Sequence, residues 1–304
     1  MRIYIAGING MVGTALARIG KSLSFEVLGD SSKDLDLRDR AKVMKRMKDL
    51  TPDALIVAAG RVGGIKANSL YPVEFLTHNL QIQTNLLDSA HESKIERLLF
   101  LGSSCVYPKY APQPIVEESL LTGSLEVTNE SYALAKIAGI KLTQAYKNQY
   151  GRNWICAIPT NVYGPNDNFD MREAHVISAM ITKMEAAKTS GLKSVEFWGD
   201  GTPLREFIYV DDLARACYFL LEAYSGSAPI NIGTNFEVSI LELSKIVARL
   251  VAYGGEITFN ENFPNGAPRK LLDSAKIRSL GWKPETELKD GLSQTYDWFL
   301  KNSV

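Results

Sequence analysis

A tyrosine and a lysine four residues apart are the first pair in this sequence that could do chemistry together. They stand in Tyr132-Ala133-Leu134-Ala135-Lys136. Positions i and i+4 of a helix share one face, so phenol and ammonium can enter one pocket. There the ammonium would favour phenolate and lower the tyrosine pKa from its ordinary value of about 10. Such pairs are also common on solvated helix surfaces, so this one needs company. Upstream, Leu99-Phe100-Leu101-Gly102-Ser103-Ser104 places hydroxyls where a strand should end. Ligands of open α/β sheets bind at the C-terminal strand ends, where Ser103 can meet Tyr132. The plainer reading of the serines is a strand-to-loop cap. A third signal is Gly7-Ile8-Asn9-Gly10-Met11-Val12-Gly13. Its glycines permit a tight turn and let backbone N–H groups approach a pyrophosphate at a helix N-terminus. The spacing is GxxGxxG rather than GxGxxG. Turns use glycine anyway, so the weight lies in the strand–turn–helix context.

These residues need a scaffold, and the pattern of the chain provides one. Residues 2–6, 25–29, 54–58, 97–101 and 154–158 read as buried parallel strands. Residues 11–21, 40–49, 74–93 and 130–149 read as the helices between them. Alternation of this kind implies βαβ units and an α/β fold with a doubly wound parallel sheet. Beyond about residue 160 the pattern loosens. Turn-rich pieces such as Gly164-Pro165-Asn166-Asp167-Asn168 and Gly199-Asp200-Gly201-Thr202-Pro203 separate helices at about 173–187, 211–224, 239–251 and 288–301. The expected division is a dinucleotide-binding domain over 1–165, with a returning segment at about 205–235. A smaller substrate lobe then comprises 166–204 and 236–304.

Bulk properties exclude several classes of function. Lysine plus arginine equals aspartate plus glutamate at 34 each, which leaves no basic footprint for nucleic acid or an anionic membrane. No apolar run reaches the roughly 18 residues that span a bilayer. Met1 leads directly into strand-like Arg2–Ala6, so no signal peptide is visible. Cys105, Cys156 and Cys217 lack metal-ligand spacing and are odd in number. A cytoplasmic, reducing location is expected, with no bound metal.

At this point the sequence resembles the extended short-chain dehydrogenase/reductases, and among them the epimerase-reductases of GDP-4-keto-6-deoxymannose. The similarity runs nearly end to end. It rests on Gly10-Met11-Val12-Gly13, Val62-Gly63-Gly64-Ile65, Gly102-Ser103-Ser104-Cys105-Val106-Tyr107-Pro108-Lys109, the run from Tyr132 to Lys141, the run from Pro159 to Pro165, Arg205-Glu206-Phe207 and His175-Val176-Ile177. The resemblance implies a GDP-linked 4-keto-6-deoxy sugar as substrate. Its ketone acidifies the protons on C-3 and C-5, so a base and an acid on opposite faces can invert those centres. The resemblance gives that work to Cys105 and His175, whose types titrate at about 8.5 and 6.5 when unperturbed. NAD(P)H then reduces C-4, with Tyr132 as the acid, Ser103 on the same oxygen and Lys136 on the ribose. Without the resemblance, Cys105 reads as a small buried residue and His175 as a helix-start residue. Cys156 and Cys217 read as structural, and His78 and His91 attract no chemical reading.

Further positions follow from the motif and the resemblance together. The cofactor set is Gly7, Asn9, Gly10, Met11, Val12, Gly13, Asp30, Lys33, Asp36, Leu37, Ala58, Ala59, Gly60, Leu101, Lys136, Pro159, Asn161, Val162 and His175. Lys183, Trp198, Arg205 and Lys270 match positions that hold the nucleotide diphosphate end, where cations suit pyrophosphate and an aromatic can stack. The plainer reading leaves Lys183 and Lys270 solvated and Trp198 in the core. Relatives that use NADPH commonly carry arginines in the glycine loop and beyond the second strand. Here stand Asn9 and Gly29-Asp30-Ser31-Ser32-Lys33. Asp30 suits a ribose 2′-hydroxyl and so NAD(H), whereas Lys33 and the serines can take the 2′-phosphate of NADP(H). The resemblance also implies a homodimer through the helices near 74–93 and 130–149. Two other functions stay open: epimerisation or C-4 reduction of another GDP-4-keto sugar, deoxyhexose or heptose, and a non-catalytic dinucleotide sensor.

Overall fold

Each of the first five apolar runs becomes a strand, and helices follow the first four, in the computed structural model, which describes residues 1–171 and 173–302. The elements in chain order are β1 Arg2–Ala6, α1 Met11–Ser22, β2 Glu26–Leu28, α2 Arg40–Leu50, β3 Ala54–Val57, α3 Ile65–Leu70, α4 Pro72–Glu92, β4 Arg97–Leu101, α5 Glu130–Tyr150 and β5 Asn153–Pro159. There follow β6 Asn161–Tyr163, α6 Val176–Thr189, β7 Ser194–Trp198, β8 Leu204–Tyr209, α7 Val210–Ala223, β9 Ile230–Ile232 and β10 Glu237–Ser239. The last are α8 Ile240–Val251, β11 Glu256–Asn260, β12 Arg269–Lys270, α9 Ala275–Ser279 and α10 Leu288–Asn302.

The main sheet is wholly parallel, in the order β2-β1-β3-β4-β5-β9. Both its faces are covered, which is why its strands are unbroken apolar runs rather than alternating ones. Tyr4, Leu55, Phe100 and Trp154 face α2, α4 and α5 in one core. Ile3, Ile5, Ile56, Leu99 and Ile155 face α1 and α7 in the other. α5 can lie close on β4 because Gly139 has no side chain: a Cβ there would sit 2.2 Å from Phe100 Cζ. That approach brings Tyr132 and Lys136 to the end of β4.

The looser second half contains short strands that its sequence pattern does not announce. β10, β8 and β12 form one small sheet, with β6 added along β8, and β11 pairs with β7. Their inward residues share a third core with α6, α8 and α10. The helix expected from 173 begins at Val176, because His175 is extended at its N-cap (φ −72°, ψ 167°).

A buried glutamate stitches the small sheet to the large one. Glu206, fully buried, accepts backbone N–H bonds from Thr234 (2.6 Å), Asn235 (2.7 Å) and Leu272 (3.0 Å). Glu206→Ala strands one buried donor, the Leu272 N–H, at a cost of about 1–3 kcal/mol, and two part-buried donors that water can reach. Urea unfolding is therefore expected to show a loss of about 1–3 kcal/mol. An unshifted midpoint would mean that these amides find other acceptors.

Candidate active site

The β1–α1 turn is shaped by what its glycines lack. Gly7 has φ +85°, and a Cβ on it would lie 2.8 Å from Ala59 Cα. A Cβ on Gly13 would lie 2.0 Å from the Gly7 carbonyl oxygen. The Gly10 N–H donates to that carbonyl at 3.0 Å. Gly10, the N-cap of α1, brings no side chain to the helix end, and the first turn holds no acid. Free amides, a positive dipole end and open backbone fit the pyrophosphate of a dinucleotide. Asn9, Met11 and Val12 complete this turn, and Ala58, Ala59 and Gly60 run beside it after β3. A residue missed from sequence holds that second loop. Asn79 of α4, 2% exposed, accepts from the Arg61 N–H and donates to the Arg61 carbonyl, both at 3.0 Å. Leu101 and Pro159 close β4 and β5, while Asn161 and Val162 lie in β6. All these positions lie at or just beyond the C-terminal ends of the parallel strands, where ligands of such sheets collect.

Asp30 follows β2 and is already engaged. Arg46 of α2 holds it in a fork (2.8 and 2.9 Å), and the Tyr4 hydroxyl donates to it at 2.8 Å. Burial raises its pKa, but the Arg46 and Tyr4 bonds outweigh that and hold it below the usual carboxylate range. Lys33 lies three residues on, Asp36 pairs with Arg38, and the Leu37 carbonyl accepts from Asn85. Asp30→Ala removes a negative charge and releases a guanidinium. The NADPH over NADH ratio of kcat/KM is then expected to rise about 10-fold or more. An unchanged ratio would show that neither group senses the 2′ position.

Past β4 the chain makes a one-turn 3-10 helix, Ser104–Val106, capped by Ser103. The cap turns two side chains toward α5. The Ser103 hydroxyl accepts the Cys105 N–H at 3.5 Å and lies near enough to the Tyr132 phenol and the Cys105 thiol to pull both pKa values down, so one hydroxyl neighbours the two. Lys136 is 5% exposed; its Nζ donates to the Leu101 carbonyl at 2.9 Å and stands 5.8 Å from the Tyr132 ring centre. Burial pulls its pKa down to about 8. The expected lowering of the Tyr132 pKa by Lys136 does not appear. Burial pushes the phenol up, the Cys105 thiol adds to this, and the Ser103 bond opposes it in part. Burial likewise raises Cys105, against the fields of Lys270 and Lys136.

His175 enters from the loop before α6. Its Nδ1 lies 3.3 Å from Asp167 Oδ1. Burial lowers its pKa, but the hydrogen bond and charge of Asp167 more than offset this, so it lies above the ordinary histidine value. The Gly63-Gly64 loop connects this region to Tyr132. Phe75 stands edge-on to the Tyr132 ring, and a Cβ on Gly63 would be 3.2 Å from Phe75. The Gly64 N–H donates to the Glu173 carbonyl at 3.1 Å. Among the described residues, His175 makes no hydrogen bond to Ser103, Cys105 or Tyr132.

Arg205 and Lys270 are brought together. They pair in register on the parallel strands β8 and β12, so both side chains leave the same face. Burial lowers both, Arg205 to about 10, and Arg205 further lowers Lys270. Two adjacent, desolvated cations are mutually destabilising until an anion joins them. A small cavity joins Lys270 to Cys105. Trp198 ends β7 and stacks on Phe263, with ring centres 4.3 Å apart and planes 4° apart. Lys183 is not part of this pair: its Nζ donates to the Glu196 carbonyl and lies over Phe197.

Residues 3–233 match the model of the NAD dependent epimerase/dehydratase family. GDP-L-fucose synthase 1 of Arabidopsis thaliana is 51% identical over 99% of this chain and 94% of its own length. A GDP-6-OMe-4-keto-L-xylo-heptose reductase from C. jejuni superposes with a TM-score of 0.94 at 33% identity, covering 99% of this chain and 97% of that one. A GDP-L-fucose synthetase from Naegleria fowleri, solved with NADP bound, superposes with a TM-score of 0.90 at 26% identity, covering 99% and 94%.

Proposed function

This chain belongs to the NAD dependent epimerase/dehydratase family, and on that premise we propose that it epimerises C-3 and C-5 of a GDP-4-keto-6-deoxyhexose and then reduces C-4. The observation that carries the reading is the convergence of Ser103, Cys105, Tyr132 and Lys136 at the end of β4, which supports a reducing acid and an epimerising thiol at one site.

When bound, the nicotinamide supplies the hydride for C-4. Gly7, Asn9 to Gly13, Asp30, Lys33, Asp36, Leu37, Ala58 to Gly60, Leu101, Pro159, Asn161, Val162 and His175 would hold the dinucleotide, with Lys136 on its ribose. Burial keeps Tyr132 protonated, which is the state a reducing acid needs. Its proton passes to the C-4 oxygen as charge develops there, and the Ser103 hydroxyl donates to the same oxygen. Cys105 and His175 exchange protons at C-3 and C-5 before reduction, because those carbons are acidic only while the ketone exists. Arg205 and Lys270 take the diphosphate, which relieves their mutual repulsion, and Trp198 stacks on the base. Lys183 approaches this end only by leaving its seat on β7. We assign 1–165 and the 205–235 segment to the dinucleotide, and 166–204 with 236–304 to the sugar nucleotide.

For the cofactor the reading is NADPH, because Arg46 neutralises the acid that would repel a 2′-phosphate and Lys33 stands nearby. We place the enzyme in the cytoplasm as a homodimer, with α4 and α5, already packed together, meeting their copies in a helix bundle. Among the described residues, no helix is long and apolar enough to cross a membrane. Light scattering at micromolar concentration is expected to give twice the chain mass; a monomer would remove the bundle.

The likeness to the heptose reductase favours a second reading, C-4 reduction of another GDP-4-keto sugar. Incubation with candidate GDP-4-keto sugars and NADPH or NADH, with stereochemistry read by NMR, separates the two. No turnover with any of them would leave a dinucleotide sensor.

A further inference from the structure

A buried carboxylate stands behind the imidazole. Asp167 lies in the loop after β6, and its side chain is 4% exposed. Oδ1 accepts the Asn168 N–H at 2.8 Å and faces His175 Nδ1 at 3.3 Å. Oδ2 accepts the hydroxyl of Ser178, a fully buried residue in the first turn of α6. The carboxylate is thus clamped by its own loop and by the helix that His175 caps. A neutral asparagine could accept the Asn168 N–H through its carbonyl oxygen and donate its amide to the Ser178 hydroxyl. A full charge withdrawn from water asks for a cationic partner, and the imidazole is the group in place to become one.

We propose that Asp167 is the positioning residue for His175. It accepts the Nδ1–H, which fixes the tautomer and leaves Nε2 free for the substrate, and it steadies the imidazolium formed when Nε2 takes a proton. In that step the C–H bond breaks and its electron pair passes into the enolate. The proton becomes the Nε2–H, and Asp167 keeps its charge throughout. The other charged groups nearby do not compete for the role. Asp170 and Glu173 share the loop, but the hydrogen bond and charge acting on the imidazole are those of Asp167. α6 carries its first charge two turns on, at Lys183. From the loop packed against 173–174, Arg61 lies over Tyr71 and Phe75, and Lys66 is in α3.

The inference rests on His175 being a proton shuttle, and the test separates the two ideas. The enzyme is loaded with NADP⁺, so that no reduction occurs, and given GDP-4-keto-6-deoxymannose in D₂O. Deuterium entry at C-3 and C-5 is followed across pH. Asp167→Asn is expected to slow exchange about 10–100-fold, the range of one charge-assisted hydrogen bond, with KM within about 2-fold. Loss of the carboxylate lowers the His175 pKa, so the acid limb of the profile moves to lower pH. Ser178→Ala keeps the charge but loosens its clamp, and is expected to give a smaller loss. Imidazole NMR reads the tautomer in the unaltered enzyme, where there are three histidines and His175→Gln identifies the signal. An Nδ1–H form with a pKa above about 6.5 is expected. An Nε2–H form, or an Asp167→Asn profile like the parent's, would overturn the proposal while His175 stays a shuttle. Parent-like exchange in His175→Gln would remove the shuttle and the positioning role with it.

Discussion

Phenylalanine at position 132 lowers the reductive rate by about 10²–10⁴-fold, the span that one positioned proton donor supplies. The substitution removes an oxygen and little else. The ring keeps its edge-on contact with Phe75, and Ser103 still caps the turn by accepting the Cys105 N–H. Stability is therefore expected to hold while NADPH oxidation fails. The unaltered phenol gives a second signature. Burial holds its pKa up, so no loss of rate from its ionisation is expected as pH rises through neutrality. NADPH oxidation at the parent rate by Tyr132→Phe would mean that another group protonates the C-4 oxygen.

Cys105→Ser and His175→Gln are expected to separate the two activities. Serine is far too weak a base at neutral pH, and glutamine cannot exchange a proton. Each variant should lose deuterium incorporation at C-3, C-5 or both by about 10²-fold or more. Reduction needs Tyr132, Ser103, Lys136 and the cofactor, so a reduced sugar that keeps its original centres is the expected product. Cys105 is buried, with 6% of its surface exposed, and its thiol is held protonated by that burial. It therefore starts as the acid of the pair, and the Lys270 and Lys136 fields favour the thiolate it leaves. Doubly inverted product from both variants would return them to packing roles and leave a reductase with its epimerising groups elsewhere.

The legible parts of this molecule were those in which local pattern and tertiary role coincide. β1 and β4 run over 2–6 and 97–101 as their apolar runs indicate, because strands covered on both faces must be apolar throughout. Gly7 and Gly13 were readable because no side chain fits where their Cβ atoms would go. α4 starts at Pro72, two residues before its apolar pattern suggests, since proline is pre-set for a first turn. β9 and β12 have three and two residues, too short for a period to register. Asn79, Asp167 and Glu206 are polar residues whose meaning depends on partners the sequence does not reveal. Asp30 is the sharpest case: its type suits a ribose hydroxyl, and nothing in its pattern announces the fork from Arg46 in α2, sixteen residues on. The ammonium beside Tyr132 is legible too, but the phenol's pKa follows its burial, and burial is a property of the packed molecule.

The sixth strand of the main sheet has a consequence for synthesis. β9 pairs with β5 through Ala157↔Ile230 and Pro159↔Ile232, and α7, which covers Leu16 and Ile19 of α1, also comes after residue 209. While a ribosome is still translating residues 166–209, the emerged chain therefore carries an uncovered strand edge and a bare apolar helix face. At about 5–20 residues per second, that exposure lasts several seconds on every nascent chain. The interval invites pairing with neighbouring chains on the same message, or capture by a chaperone. A chain released early, anywhere before Ile232, would never leave that state.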